Sequence, residues 1–312
     1  MAIMRQPADK EQVQNGTRTR HRIASVRNEG NGAVFSRLTG AAFRAVLVIL
    51  LITTPSIGLT GTSADTAQIV ALVSIVSAIF VFVEYKAASP SLIEFRDAPP
   101  FNRVRFLGLF ATVFALTVIA KGATDPTHFT GLFISVGGNL ADVMDFPYSP
   151  VRLVVLMLPA EASQTLIDKV RTAAGLSYLT SLLSLAVFII ALRLNNWPNQ
   201  RGGFNVWVNL PTFDPTAGGD IVERMERDGQ FNLILGFLLP FLIPATVKLA
   251  SDVFNPISLQ DTHTLIWTMT AWAFIPASLI MRGIAMLRVA QMITAQRERA
   301  YLETKEDGTL PV

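Results

Sequence analysis

The chain contains no cysteine in its 312 residues. Disulfide frameworks, thiolate zinc sites, cysteine-held iron–sulfur clusters and thiol nucleophiles are thereby excluded. Charge is sparse as well: Asp, Glu, Lys and Arg make up 16% of the residues, while 51% are hydrophobic. The mean hydropathy of +0.43 points to a membrane protein, being more apolar than an ordinary soluble domain. Also missing are G-x-S-x-G, H-E-x-x-H, the Walker A sequence and a glycine-rich dinucleotide fingerprint. The isolated RGG at Arg201 to Gly203 and AGGD at Ala217 to Asp220 read as turns. None of the three histidines falls in a long apolar run, so a haem would find no axial histidine inside a span. The chain is therefore expected to be no enzyme and to hold no cofactor. A net charge of +3 and a pI near 9.4 do not imply a nucleic-acid partner, because the basic residues sit between and beside apolar runs.

What the chain has in quantity is apolar length. A helix crosses the hydrocarbon core in roughly twenty mostly apolar residues. Six runs qualify: approximately Ala42 to Leu59, Thr66 to Val83, Phe106 to Gly122, Gly175 to Leu192, Phe231 to Ala250 and Thr264 to Ile284. The expected fold class is all-α, a polytopic membrane protein of about six transmembrane helices. No cleavable secretory signal is expected, since the first run begins about forty residues in and is long enough to span. Lys and Arg near the span ends orient the chain. The tail carries Arg18, Arg20, Arg22 and Arg27, the opening loop Lys86, Arg96, Arg103 and Arg105, and later gaps Arg193, Arg201, Arg224, Arg227, Arg282, Arg288, Arg297 and Arg299. The intervening TGTSADT has no positive charge and SDVFNPISLQDTHT has none either. Both termini are thus expected in the cytoplasm, with one larger extracytoplasmic segment between spans three and four.

Three regions follow. A disordered basic tail over 1–40 touches anionic head groups. A six-helix membrane domain over 41–292 contains an outer segment at 123–174 and an inner loop at 193–230, and 293–312 form a cytoplasmic C-terminal helix and tail. In the outer segment Gly137, Gly138 and Asn139 mark a turn, leaving two short strands, an interfacial segment or a re-entrant loop as readings. After Pro159 a long helix is expected to flow into the fourth span. In the inner loop Trp197 and Trp207 suit the head-group level, and Asp220 with Glu223 resembles a capping box opening a short helix IVERMERD.

Candidate sites are few. Arg44, Glu84, Lys121, Lys248 and Arg282 lie near span ends, where snorkelling suffices. Ser177, Ser181 and Ser184 share one helix face and are expected to form a packing seam, with hydroxyls able to bond across it. Pro240 and Pro244 each remove a backbone donor and are expected to kink the fifth span. His128 and His263, with Asp125 and Asp261 nearby in sequence, are the only candidate metal ligands, and no helical spacing forces them together. The stretch LIEFRDAPPFNRVRF at 92–106 combines two prolines with a knot of charge. Pro99 and Pro100 are expected to stop the second helix, and Asn102 to cap the third with Phe101 as a staple. Phe231–Asn232 repeats the Phe–Asn pair before the fifth, where Asn232 would be the cap but the staple partner would be Gly236, which does not fit. Glu94, Arg96 and Asp97 are left for contact with a partner. The expected function is a non-enzymatic structural or assembly subunit of a larger membrane complex in a bacterial-type inner membrane. Its partners would be other integral membrane proteins or further copies of itself. The alternative is a small transporter or channel with its path near the kinked fifth helix.

Overall fold

In a hydrocarbon solvent every backbone N–H and C=O must be satisfied within the chain, and helices do this with local bonds alone. The computed structural model describes residues 36–198, 204–214, 216, 218–250 and 259–306. Among them 79% are helical and none is in a strand. The helices are α1 (Ser36–Gly58), α2 (Ala64–Lys86), α3 (Phe101–Gly122), α4 (His128–Met144), α5 (Pro150–Leu156), α6 (Gln164–Leu194), α7 (Val206–Asn209), α8 (Ile221–Ala250) and α9 (Thr262–Glu306). Six of these, α1, α2, α3, α6, α8 and α9, are long and apolar enough to cross a membrane. Most of the basic tail and the first part of the SDVFNPISLQDTHT stretch lie outside the described residues.

Short polar side chains set the helix starts by accepting the free N–H groups of the first turn. Ser63 opens α2, Ser149 opens α5 and Ser163 opens α6, each accepting from the backbone three residues on. Thr127 and Thr130 form a reciprocal capping box at α4. Asp220 accepts from the Val222 N–H at 2.6 Å, and Asp261 accepts from the Thr264 N–H at 2.7 Å.

The outer segment differs from the strand and turn readings. Residues 128–144 are one helix that runs straight through Gly137, Gly138 and Asn139. Gly137 is there for proximity: a Cβ on it would lie 2.9 Å from Ile119 Cδ1 of α3 and 3.2 Å from Thr172 Cγ2 of α6. Gly175 does the same from the other side, where a Cβ would fall 2.7 Å from Ala141 Cα. Of the paired glycines that signal a turn, Gly137 is a helix-packing residue, while Gly138 faces open space.

Helix α9 is the pillar. More than half of its most apolar stretch is buried inside the protein (56%), against 11% for α2 at the periphery. Met269, Met281 and Met286 of α9 are all but fully buried, each filling irregular space as an unbranched side chain can. Two apolar clusters stack along it, one around Phe95, Phe101, Phe188, Trp197 and Met286, the other around Val113, Val151, Val170, Met269 and Trp272. The seam with α8 is built on glycine. A Cβ on Gly283 would lie 2.6 Å from the Gly229 carbonyl oxygen, and one on Gly236 would lie 2.7 Å from the Pro276 carbonyl oxygen.

Pro240 and Pro244 lie inside α8, which is continuous from Ile221 to Ala250. The expected separate helix IVERMERD is its first two turns, and Asn232 is an interior residue donating to the Asp228 carbonyl at 2.6 Å, not a cap. Because Pro244 has no N–H, the Pro240 carbonyl loses its helical partner. The Trp272 indole N–H replaces it at 3.2 Å.

Contacts gather the connections into two ends. The α1–α2 turn meets the end of α3 through Thr60 and Thr124 at 3.0 Å and approaches the start of α9 through Thr62 and His263 at 3.5 Å. At the other end, the 87–100 loop bonds to Asn209, and Asp220 pairs with Arg297 at 2.7 Å.

Candidate functional site

The last carbonyls of a helix have no partner within it and carry partial negative charge. At the end of α2 that need is met by Arg96, whose guanidinium donates to the Glu84 carbonyl at 2.9 Å and the Ala87 carbonyl at 2.6 Å. The same side chain pairs with Asp97 at 3.0 Å. Glu84 completes the clamp in the opposite sense. Its carboxylate accepts from the N–H groups of Ser91, Leu92 and Ile93 at 3.0 to 3.2 Å and from the Ser91 hydroxyl. Glu84 is thus buried and satisfied from inside, where snorkelling to water was expected. The helix ends at Lys86, well before Pro99 and Pro100, so those prolines do not stop it.

The clamped loop then turns inward. Phe95 adopts φ 51°, a left-handed conformation that costs a side-chain-bearing residue roughly 1–3 kcal/mol. It is fully buried, against Phe101 at 4.4 Å, Trp197 at 5.8 Å and Phe204 at 6.3 Å between ring centroids. Trp197 is therefore a core residue, not a head-group anchor; Trp207 is exposed. Asn102 does not cap α3, whose first residue is Phe101; its amide donates to the Glu94 carbonyl at 2.7 Å and braces the loop. Phe101, expected as a staple, packs into the aromatic cluster instead.

Glu94 reaches across the bundle. Arg282 of α9 donates to both of its carboxylate oxygens, at 2.6 and 2.9 Å, and the Thr212 hydroxyl donates to it as well. This two-pronged pair holds the loop, the α7 segment and the pillar helix in one register. Arg282 is paired in place, where snorkelling was expected of it too. Of the knot Glu94, Arg96 and Asp97, the first two spend their charge inside the chain, and Asp97 keeps an exposed carboxylate (58%) beside Arg96.

One turn beyond Phe101 on the same face stands Arg105. Its guanidinium lies over the rings of Phe101 at 5.0 Å and Phe274 at 5.9 Å, and its buried Nε has no hydrogen-bond partner. Arg105 and Arg282 face a cleft of about 1320 Å³ between α1, α2, the loop, α3 and α9. Its loop end is lined by Arg44, Arg96, Arg103, Arg105 and Arg282 against Glu94 and Asp97, and its other end by apolar side chains of α1, α2 and α3. The periodicity carried a signal for Arg105: it follows Phe101 by four residues, so a buried Phe101 turns Arg105 inward. No sequence signal joins Glu94 to Arg282, 188 positions apart.

The other candidates are placed as follows. Ser177 and Ser181 are buried in α6, and Ser184 faces Gly108 of α3 so closely that a side chain at 108 would collide with it. Their hydroxyls do not bond across the seam: Ser181 donates to the Tyr178 carbonyl, Ser184 to the Thr180 carbonyl, both at 2.8 Å, and Ser177 Oγ has no partner. A small cavity of about 210 Å³ beside Pro244 is lined by apolar side chains with Gln260 and Thr268. Asp125 pairs with Lys121 at 3.6 Å, Asp261 caps α9 through Thr264, and His128 begins α4. Among the described residues no three His, Asp or Glu side chains gather as a metal site would require.

No family model, curated protein or solved structure matches the chain. Its class rests on its own architecture: a multi-pass, all-helical membrane protein with six candidate spans.

Proposed function

We propose that the protein is a non-enzymatic structural or assembly subunit of a larger membrane protein complex, seated in a bacterial-type inner membrane with both termini in the cytoplasm. The observation that carries this reading is the length of α9. It has 45 residues, about twice what a bilayer needs. Its last buried side chain is Met292, and the turns past Arg297 extend about 13 Å further at 1.5 Å per residue. Asp220 and Arg297 tie the base of this extension to α8. Past that tie the helix carries Arg299, Glu303 and Lys305, with Tyr301 and Leu302 exposed among them at 60% and 57%. A charged helix that leaves water-facing aromatic and aliphatic side chains is suited to dock on another protein. The small cavity beside Pro244 is apolar, and the transporter alternative draws no support from it.

Gentle detergent extraction followed by native sizing tests the proposal. The full chain should run in an assembly well above its own 34.0 kDa plus detergent, with a constant set of co-purifying membrane proteins. Truncation after Ala300 should release that set while leaving the membrane domain folded. A lone monomer from the native membrane would sink the idea.

A further inference from the structure

We propose that the arginine-lined cleft is a binding site for one anionic phospholipid, its phosphate at Arg105 and Arg103 and an acyl chain along α1, α2 and α3. The inference stands apart from the assembly reading and does not need it.

Three observations converge. The first is charge: five arginines and two carboxylates line the cleft, and the carboxylates are already engaged, Glu94 by Arg282 and Asp97 by Arg96. Arg44 is occupied with the Gly40 carbonyl at 2.8 Å and the Tyr85 ring at 4.5 Å. Arg105 has only ring faces and an orphaned Nε. A guanidinium whose buried Nε lacks an oxygen acceptor is unfavourably placed, and its fork of donors matches a phosphate.

The second observation is shape. At about 1320 Å³ the cleft exceeds the roughly 300–1,000 Å³ of sites that enclose a small molecule, and it suits a head group with part of a chain. The third is where it opens. Phe43, Leu50, Phe80 and Leu107 line it and are 42% to 63% exposed, on helices long and apolar enough to face lipid. An amphiphile can therefore enter sideways from the bilayer, apolar chain against apolar wall, with its phosphate at the basic end. A soluble oxyanion would share the charge contact and make no use of that wall.

Native mass spectrometry and thermal unfolding of the full chain in mild detergent separate these cases. The probes are phosphatidylglycerol, phosphatidylcholine of the same chains, and inorganic phosphate. The expected result is one retained phosphatidylglycerol per chain and a Tm rise of several degrees, with at least tenfold weaker retention of phosphatidylcholine. Arg105→Gln should cut phosphatidylglycerol retention by tenfold or more. Should that variant fail to fold, Leu107→Trp, which fills the lipid-facing mouth without touching charge, should weaken retention too. Equal retention of both lipids, or unchanged retention in the folded variants, would overturn the proposal. So would the same Tm rise with millimolar phosphate, which would make the site one for a soluble oxyanion.

Discussion

A carboxylate and a guanidinium that leave water together stabilise a fold only if each keeps the other, and Glu94 and Arg282 are such a pair. Their side chains are 11% and 26% exposed and meet at 2.6 Å. Removing one partner of a buried pair typically costs about 3–5 kcal/mol, while replacing both by apolar groups is often neutral. Glu94→Gln is therefore expected to lower stability by about 3 kcal/mol, and Glu94→Gln with Arg282→Met to recover more than half of that. Thermal unfolding in detergent decides it: a double variant no better than the single one would mean that the pair does not organise the loop. At Asp261 the charge is a cap. The Thr264 N–H, then the Thr264 hydroxyl and the nearby His263, hold its carboxyl below the usual 3.8. A depressed folded value gives stability that is fully present above pH 3.8 and lost as pH falls through the lower folded value. Asp261→Asn keeps an acceptor that does not titrate, so the wild-type advantage over it should shrink below pH 3.8. Asp261→Ala should cost about 1 kcal/mol at neutral pH. The knot of charge at 92–106 was legible as unusual, and its work was not: the Glu94 carboxylate finds Arg282, and the Asp97 backbone N–H finds the Asn209 side chain, only through the tertiary fold.

At the level of elements, glycine does opposite things according to what faces it. Gly138 of α4 has open space where a Cβ would go, whereas Gly175 of α6 has the Ala141 backbone at 2.7 Å. Alanine is the better helix former by about 1 kcal/mol in the open case, while overpacking of a tight contact costs about 1–3 kcal/mol. Gly138→Ala should raise the unfolding temperature and Gly175→Ala should lower it. A matched rise in both would mean that α4 and α6 are not in close contact. The spans themselves were legible because a run of about twenty apolar residues has one structural outlet in lipid. What lies between them was less so. Gly137–Gly138–Asn139 carries turn chemistry in its sequence, and tertiary packing against Ile119 and Thr172 overrode it. The α8–α9 seam was readable in principle: Gly229 and Gly236 are seven apart, as are Pro276 and Gly283, which puts each pair on one helix face.

For the molecule as a whole, contacts set the two ends of the bundle, and charge is the basis of the proposed sidedness. The 87–100 loop, Asn209, Asp220 and Arg297 share one end, while the α1–α2 turn, Thr124 and His263 share the other. Arginine and lysine concentrate at the first end, with Lys86, Arg96, Arg103, Arg193, Arg297 and Arg299, and an excess of such residues near span ends is retained in the cytoplasm. The opposite end is less decisive, since Arg152, Lys169 and Arg171 lie in the segment between α3 and α6. There the Asp145 carboxylate pairs with Arg152 and accepts from Arg171, both at 2.9 Å, which neutralises much of that charge where it stands. The lack of cysteine makes the orientation directly measurable, because a single introduced thiol reports without background. Ala64→Cys and Glu161→Cys, both at exposed positions, should react with a membrane-impermeant maleimide in intact cells. Ser89→Cys and Glu303→Cys, equally exposed, should react only after permeabilisation. Labelling of Ser89→Cys from outside would invert the protein, and labelling of Ala64→Cys and Ser89→Cys from the same side would mean that α2 does not cross.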